Sequence, residues 1–178
     1  MSKSKSHSNF NVFMLLPVAL IGLYMLIRQD LEHLSLFAVC FLYATYFSNP
    51  DVDIANQIKL FSFKGLMTLP FRIFYAPFFK HRSSVSHSVL WGTPSRLLCM
   101  GVFVIVASFC FSFIYKLYSS YVSAEDVLSI GQATLNSATY TAALLYRLVS
   151  QNEALFGFAV AGFFIADLGH LIMDKVFH

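Results

Sequence analysis

The sequence predicts an all-α protein, a polytopic integral membrane helical bundle of about four transmembrane helices plus interfacial helices. Three observations predict it. Hydrophobic residues fill 57% of the 178 positions, against roughly 45–50% in soluble domains. Charged residues fill only 12%, against about 25%, which points to lipid as the solvent. The apolar residues are gathered into four runs, and inside hydrocarbon only a helix or a closed barrel satisfies every backbone polar group. At about 20 residues per span, half of the chain is committed to the bilayer. Residues 1–178 therefore read as a single membrane domain.

The first run is Val12 to Ile27, with Pro17 near its start. The polar stretch before it carries Lys3 and Lys5 and has the look of a signal peptide, but Arg28, Gln29 and Asp30 follow Ile27 with no small-residue cleavage site. The first helix is therefore expected to be retained. The second run is Leu34 to Phe47. Both are short for a crossing and need flanking residues or local thinning of the bilayer. The third, Leu97 to Tyr115, has no charge over 19 residues and is the clearest span. The fourth, Ala154 to Met173, carries Asp167 and His170 toward its end.

Residues 48–96 form the long connection between the second and third runs. Lys59, Lys64, Arg72, Lys80 and Arg82 alternate there with Phe61, Phe63, Phe71, Phe74, Phe78 and Phe79, and Pro70 and Pro77 break the pattern. Basic and aromatic residues so mixed suit the membrane interface. Ser119 to Asn152 has mixed character, and Ala138 to Val149 is a fifth, shorter helix that either docks or dips into the bilayer.

Composition also excludes functions. The net charge is only +3, and without a basic stripe nothing argues for nucleic acid. The partners expected instead are the lipid bilayer and a lipid or phosphoester substrate, with a homo-oligomer or a larger membrane complex left open. Cys40, Cys99 and Cys110 all lie in apolar runs with no paired ligand spacing, so they read as small buried hydrophobes. Lys and Arg set orientation, because basic loops stay cytoplasmic. With four crossings, Lys3, Lys5, Lys59, Lys64, Arg72, Lys80, Arg82, Arg96 and Lys175 fall on one side, nine in all, against Arg28, Lys116 and Arg147 on the other. Both termini and the long loop are thereby predicted to be cytoplasmic.

Three polar clusters carry chemistry. Asn49-Pro50-Asp51-Val52-Asp53 follows the second run, and two carboxylates one residue apart at a helix end can reach one or two metal ions. His81-Arg82-Ser83-Ser84-Val85-Ser86-His87-Ser88 holds two histidines six apart. That spacing is not one helical face, so a loop must bring both imidazoles together. Asp167-Leu168-Gly169-His170-Leu171-Ile172-Met173-Asp174 ends the fourth run. His170 and Asp174 are four apart and share a helical face, the spacing that offers two ligands to one metal. Ionisable residues at such a depth mark function by default. His7, between two serines before the first run, completes the set. The orientation inferred from Lys and Arg brings His7, Asp51, Asp53, His81, His87, His170 and Asp174 to one membrane face.

The residues Asn-Pro-Asp-Val-Asp-Ile at 49–54, His-Arg-Ser-Ser-Val-Ser-His-Ser at 81–88 with Gly92-Thr93 following, and Gly-His-Leu-Ile-Met-Asp at 169–174 resemble a bacterial family of small integral membrane proteins described only as metal-binding. That family is similar to the membrane-bound metal-dependent hydrolases, which carry an N-terminal histidine, P-D-x-D, an H-R segment closing on H-S, and a final S-H-x-x-x-D. Gly169 stands where that pattern has Ser, which is expected to affect one outer hydrogen bond at most. The wider group is similar to zinc-dependent phospholipase C enzymes, which implies phosphoester substrates.

Two functions follow. The first is a metal-dependent hydrolase in the bacterial cytoplasmic (inner) membrane. Four histidines and three carboxylates exceed the four ligands of a structural zinc site, so one or two divalent ions, zinc or manganese, are expected. A metal pair activates water and clamps a phosphoryl group. In that picture Asp51 or Asp53 bridges the ions and Arg82 binds the substrate phosphate. The second function is a metal brace in a membrane scaffold or subunit, which would be coordinatively closed.

Overall fold

A computed structural model describes residues 8–27, 30–48, 50–51, 58–78, 88–123 and 127–176. Every regular element among them is helical. The first is a π-helical turn, Asn11–Leu15, continued by α1, Leu16–Ile27. Pro17 has no N–H and its ring crowds the carbonyl one turn back. The helix widens there, and the Leu16 N–H reaches the Asn11 carbonyl. Next comes α2, Leu31–Phe47. Two short helices follow, α3 at Phe63–Met67 and α4 at Leu69–Phe74. The long helices are α5, Val89–Ser123, α6, Val127–Gln151, and α7, Glu153–Val176.

Three stretches are long and apolar enough to cross a membrane: Ser8–Met25, Leu90–Ser119 and Glu153–Val176. The remaining expected span, α2, has 17 residues and reaches about 25 Å, short of the roughly 30 Å of hydrocarbon. α5 begins at Val89, eight residues before the apolar run that signals it. Gly92, Thr93, Pro94 and Ser95 fall in the expected connection 48–96, yet Pro94 sits in the second turn of a continuous helix. Arg96, counted from the sequence among the loop cations, is fully buried in this helix.

The chain divides into two compact units, Met1–Leu97 with Glu153–His178, and Leu98–Asn152. In the first, α2 packs along α7. Phe37, Phe41 and Ala44 recur on one face of α2 and are fully buried. On α7 the buried stripe is Gly162, Phe163, Ala166, Gly169, His170 and Met173. A Cβ on Gly162 would lie 2.6 Å from the Phe37 carbonyl oxygen and 3.0 Å from the Phe41 nitrogen. Glycine is thus what lets the two backbones touch. Between helices in a bilayer, where lipid offers no hydrophobic drive, van der Waals contact of this kind is what favours packing. The Tyr43 ring packs on Phe163 at 5.9 Å, and its hydroxyl donates to the Met67 carbonyl at 2.9 Å, which ties α3 to α2.

The connection before α5 keeps its aromatic character. Ser62 caps α3 by accepting from the Gly65 N–H at 3.0 Å. Phe61, Phe63 and Phe78 are exposed while Phe71 and Tyr75 are fully buried.

In the second unit, α6 runs well beyond the segment 138–149 marked by its apolar residues. The Ser and Thr content that obscures it faces a partner. The Ser108 and Thr141 hydroxyls are 2.7 Å apart, and Ser112 donates to Ser137 at 2.6 Å. Each side supplies residues four apart, so the hydroxyls form a ladder between two helices. Such bonds are worth about 0.6–2 kcal/mol each in a membrane.

Candidate metal site

α2 ends at Phe47, and Ser48 closes it by donating its N–H to the Tyr43 and Ala44 carbonyls, each at 3.3 Å. Ser48 and Pro50 are both fully buried, which fixes the turn from which Asp51 projects. Asp51 meets α7. His170 Nε2 lies 3.4 Å from Asp51 Oδ2 and 3.6 Å from Asp174 Oδ2. Two motifs 119 positions apart in the chain thereby converge on one imidazole nitrogen.

Both distances exceed the 2.7–3.2 Å or so of a good N–H···O hydrogen bond. Donors held about 2.0–2.2 Å from a tetrahedral ion stand about 3.3–3.6 Å from one another, and the separations of 3.4 and 3.6 Å fall in that range. Imidazole and carboxylate are donor types that a divalent transition-metal ion takes. The His170 side chain is 4% exposed and Asp51 31%, while Asp174 is 20% exposed. The imidazole is thus buried, and both carboxylates are partly exposed. Among the described residues, no group of three or more His, Cys, Asp and Glu side chains closes into a metal cluster. His7, Asp53, His81, Arg82 and His87 lie outside the described residues.

Two polar anchors flank the His170 turn. From the first helix, Asn11 is 2% exposed, and its Nδ2 donates to the Ala166 carbonyl at 2.9 Å and to Thr45 Oγ1 at 3.3 Å. Ala166 is the carbonyl four residues before His170, the acceptor of the His170 backbone N–H in an α-helix. From α5, Thr93 Oγ1 and Arg96 Nη2 both donate to Asp167 Oδ2. Arg96 and Asp167 are each 1% exposed at the side chain.

Gly169 has a larger role than the sequence suggested. A Cβ there would collide with Asn11 Oδ1 and with Leu15 Cδ2. The sequence reading gave no site role to Asn11, Thr93 or Arg96: Thr93 entered only through the motif and Arg96 only through the charge count. Asn11 sits in a polar tail, and Thr93 and Arg96 sit beside Pro94, so only their three-residue spacing hinted at a shared helical face.

A family model described as "Uncharacterized metal-binding protein (DUF2227)" matches residues 2–178. No curated protein and no solved structure matches the chain.

Proposed function

Because the chain belongs to the DUF2227 family of uncharacterized metal-binding proteins, we propose that it is a membrane-embedded metal-dependent hydrolase of phosphoester or phospholipid-type substrates, working at the cytoplasmic face. The observation that carries this reading is the approach of Asp51 and Asp174 to one nitrogen of His170. Mixed imidazole and carboxylate donors suit zinc or manganese. The partial exposure of both carboxylates is compatible with the open position that catalytic centres keep and bracing centres lack.

Polarisation of a phosphoryl oxygen and activation of a water are the chemistry that a divalent ion supplies. The residues of the chain do the positioning. His170 and Asp174 present two donors from one rigid helix, and Asp51 approaches from the turn after α2. His7, Asp53, His81 and His87 complete the proposed ligand set, and Arg82 is assigned to the substrate phosphate.

The test is chelator-free purification, metal analysis, and a phosphoesterase screen on phospholipids in mixed micelles. The expected result is bound zinc or manganese and a turnover abolished by chelation. Bound metal with no turnover, and an absorption-edge spectrum showing a closed shell without water, would favour the metal brace instead. Absence of metal, with no thermal shift on its addition, removes the reading altogether.

A further inference from the structure

The Arg96–Asp167 pair is hard to explain as a stabilising device. Burying two charges costs several kcal/mol per ion, and well-packed apolar residues of like volume are often as stable or better. Here the satisfaction is also incomplete: among the described residues, Arg96 Nε and Nη1 and Asp167 Oδ1 find no hydrogen-bond partner. All the observed bonds go to one oxygen, Asp167 Oδ2, which takes Thr93 and Arg96 together. Those two donors are the fifth and eighth residues of α5, which begins two residues after His87. Their acceptor stands three residues before His170 on α7. The arrangement gives up packing stability to lock the start of one helix to a defined turn of another.

We propose that Asp167 is a positioning residue for the metal site: through Thr93 and Arg96 it fixes the start of α5 against the His170 turn, and metal affinity depends on that register. The proposal rests on the metal-binding reading above. Groups that orient metal ligands typically change affinity by about 10–100-fold when removed.

Cobalt(II) tests it, because its visible absorption reports coordination without any enzymatic assay. The full chain in detergent is titrated as wild type, Thr93→Val, Thr93→Ser, Asp167→Asn and Asp167→Glu. Thr93→Val keeps the shape and removes only the hydroxyl, so it remains informative if the Asp167 variants fail to fold. The expected result is that Thr93→Val weakens cobalt binding by about tenfold and alters the spectrum, while Thr93→Ser restores both. A merely structural role would lower the melting temperature of Thr93→Val and leave its cobalt affinity and spectrum as in wild type. That result overturns the proposal. A wild-type protein that takes up no cobalt, zinc or manganese fails differently, since it sinks the metal reading itself and the positioning role with it.

Discussion

Asn11 and Gly169 are in contact across two helices, with the Asn11 amide oxygen filling the space a side chain at 169 would need. The same amide donates to the carbonyl that precedes His170 by one turn, so the contact bears on the candidate ligand directly. Gly169→Ala should destabilise the protein by about 1–3 kcal/mol, the usual cost of overpacking a tight interface. Asn11→Ala in that background should recover part of the loss. Thermal unfolding of both single variants and the double variant in detergent gives the coupling. Strictly additive effects would mean that the two residues do not oppose one another.

Gly162 and Gly157 lie five residues apart on α7 but differ in what surrounds them. Gly162 meets the α2 backbone, while Gly157 has nothing within 4 Å of its notional Cβ. Gly162→Val should cost several kcal/mol or prevent recovery of folded protein, because backbone atoms cannot move aside. Gly157→Ala should be neutral or stabilise by about 0.5–1 kcal/mol through helix propensity. Equal behaviour in a thermal-shift assay would refute the account of the α2–α7 contact.

His170→Ala should lower bound metal while leaving membrane insertion intact, because insertion follows the apolar runs. Asp174→Asn should do the same more weakly, since the amide oxygen remains a ligand. Metal analysis of membranes and of purified protein reads both. Full occupancy in the two variants would move the ligands elsewhere.

Orientation is the condition on which a shared site for all the proposed ligands depends. Single cysteines at Ser4, Ser62 and Ser123, in a background lacking Cys40, Cys99 and Cys110, should report it with an impermeant thiol reagent on intact cells. Only the one at Ser123 is expected to react. Labelling of Ser4 but not Ser62 would separate His7 from Asp51 and His87, and the ligand set would shrink.

The helical class was legible because apolar runs are the primary signal in lipid: α2, α5 and α7 each contain the run that announced them, and the first run is shared between the π-helical turn and α1. Their starts were less legible. α7 begins one residue before its run, but the helix around Asn11 absorbs polar residues that read as tail, and α5 begins at Val89, within the stretch 48–96 that reads as the long connection. Both extensions are decided by long-range partners, Ala166 for Asn11 and Asp167 for Thr93 and Arg96. Of the candidate site, the His170 and Asp174 pair follows from helical spacing alone. The approach of Asp51 does not, since it depends on how closely Gly162 allows α2 and α7 to pack.

The π-helical turn at Asn11–Leu15 has an angular consequence. Each residue of an α-helix advances the chain by about 100° around the axis, so a turn that holds one residue more rotates everything before it by about that amount relative to everything after. Asn11 faces inward to Thr45 and Ala166, while Phe13 and Met14 face outward. Deleting one residue from the turn would restore a regular helix and swing the preceding chain through more than a quarter of a revolution. Pro17 therefore acts at a distance from its own position, as the element that sets the compass bearing of the N-terminal segment.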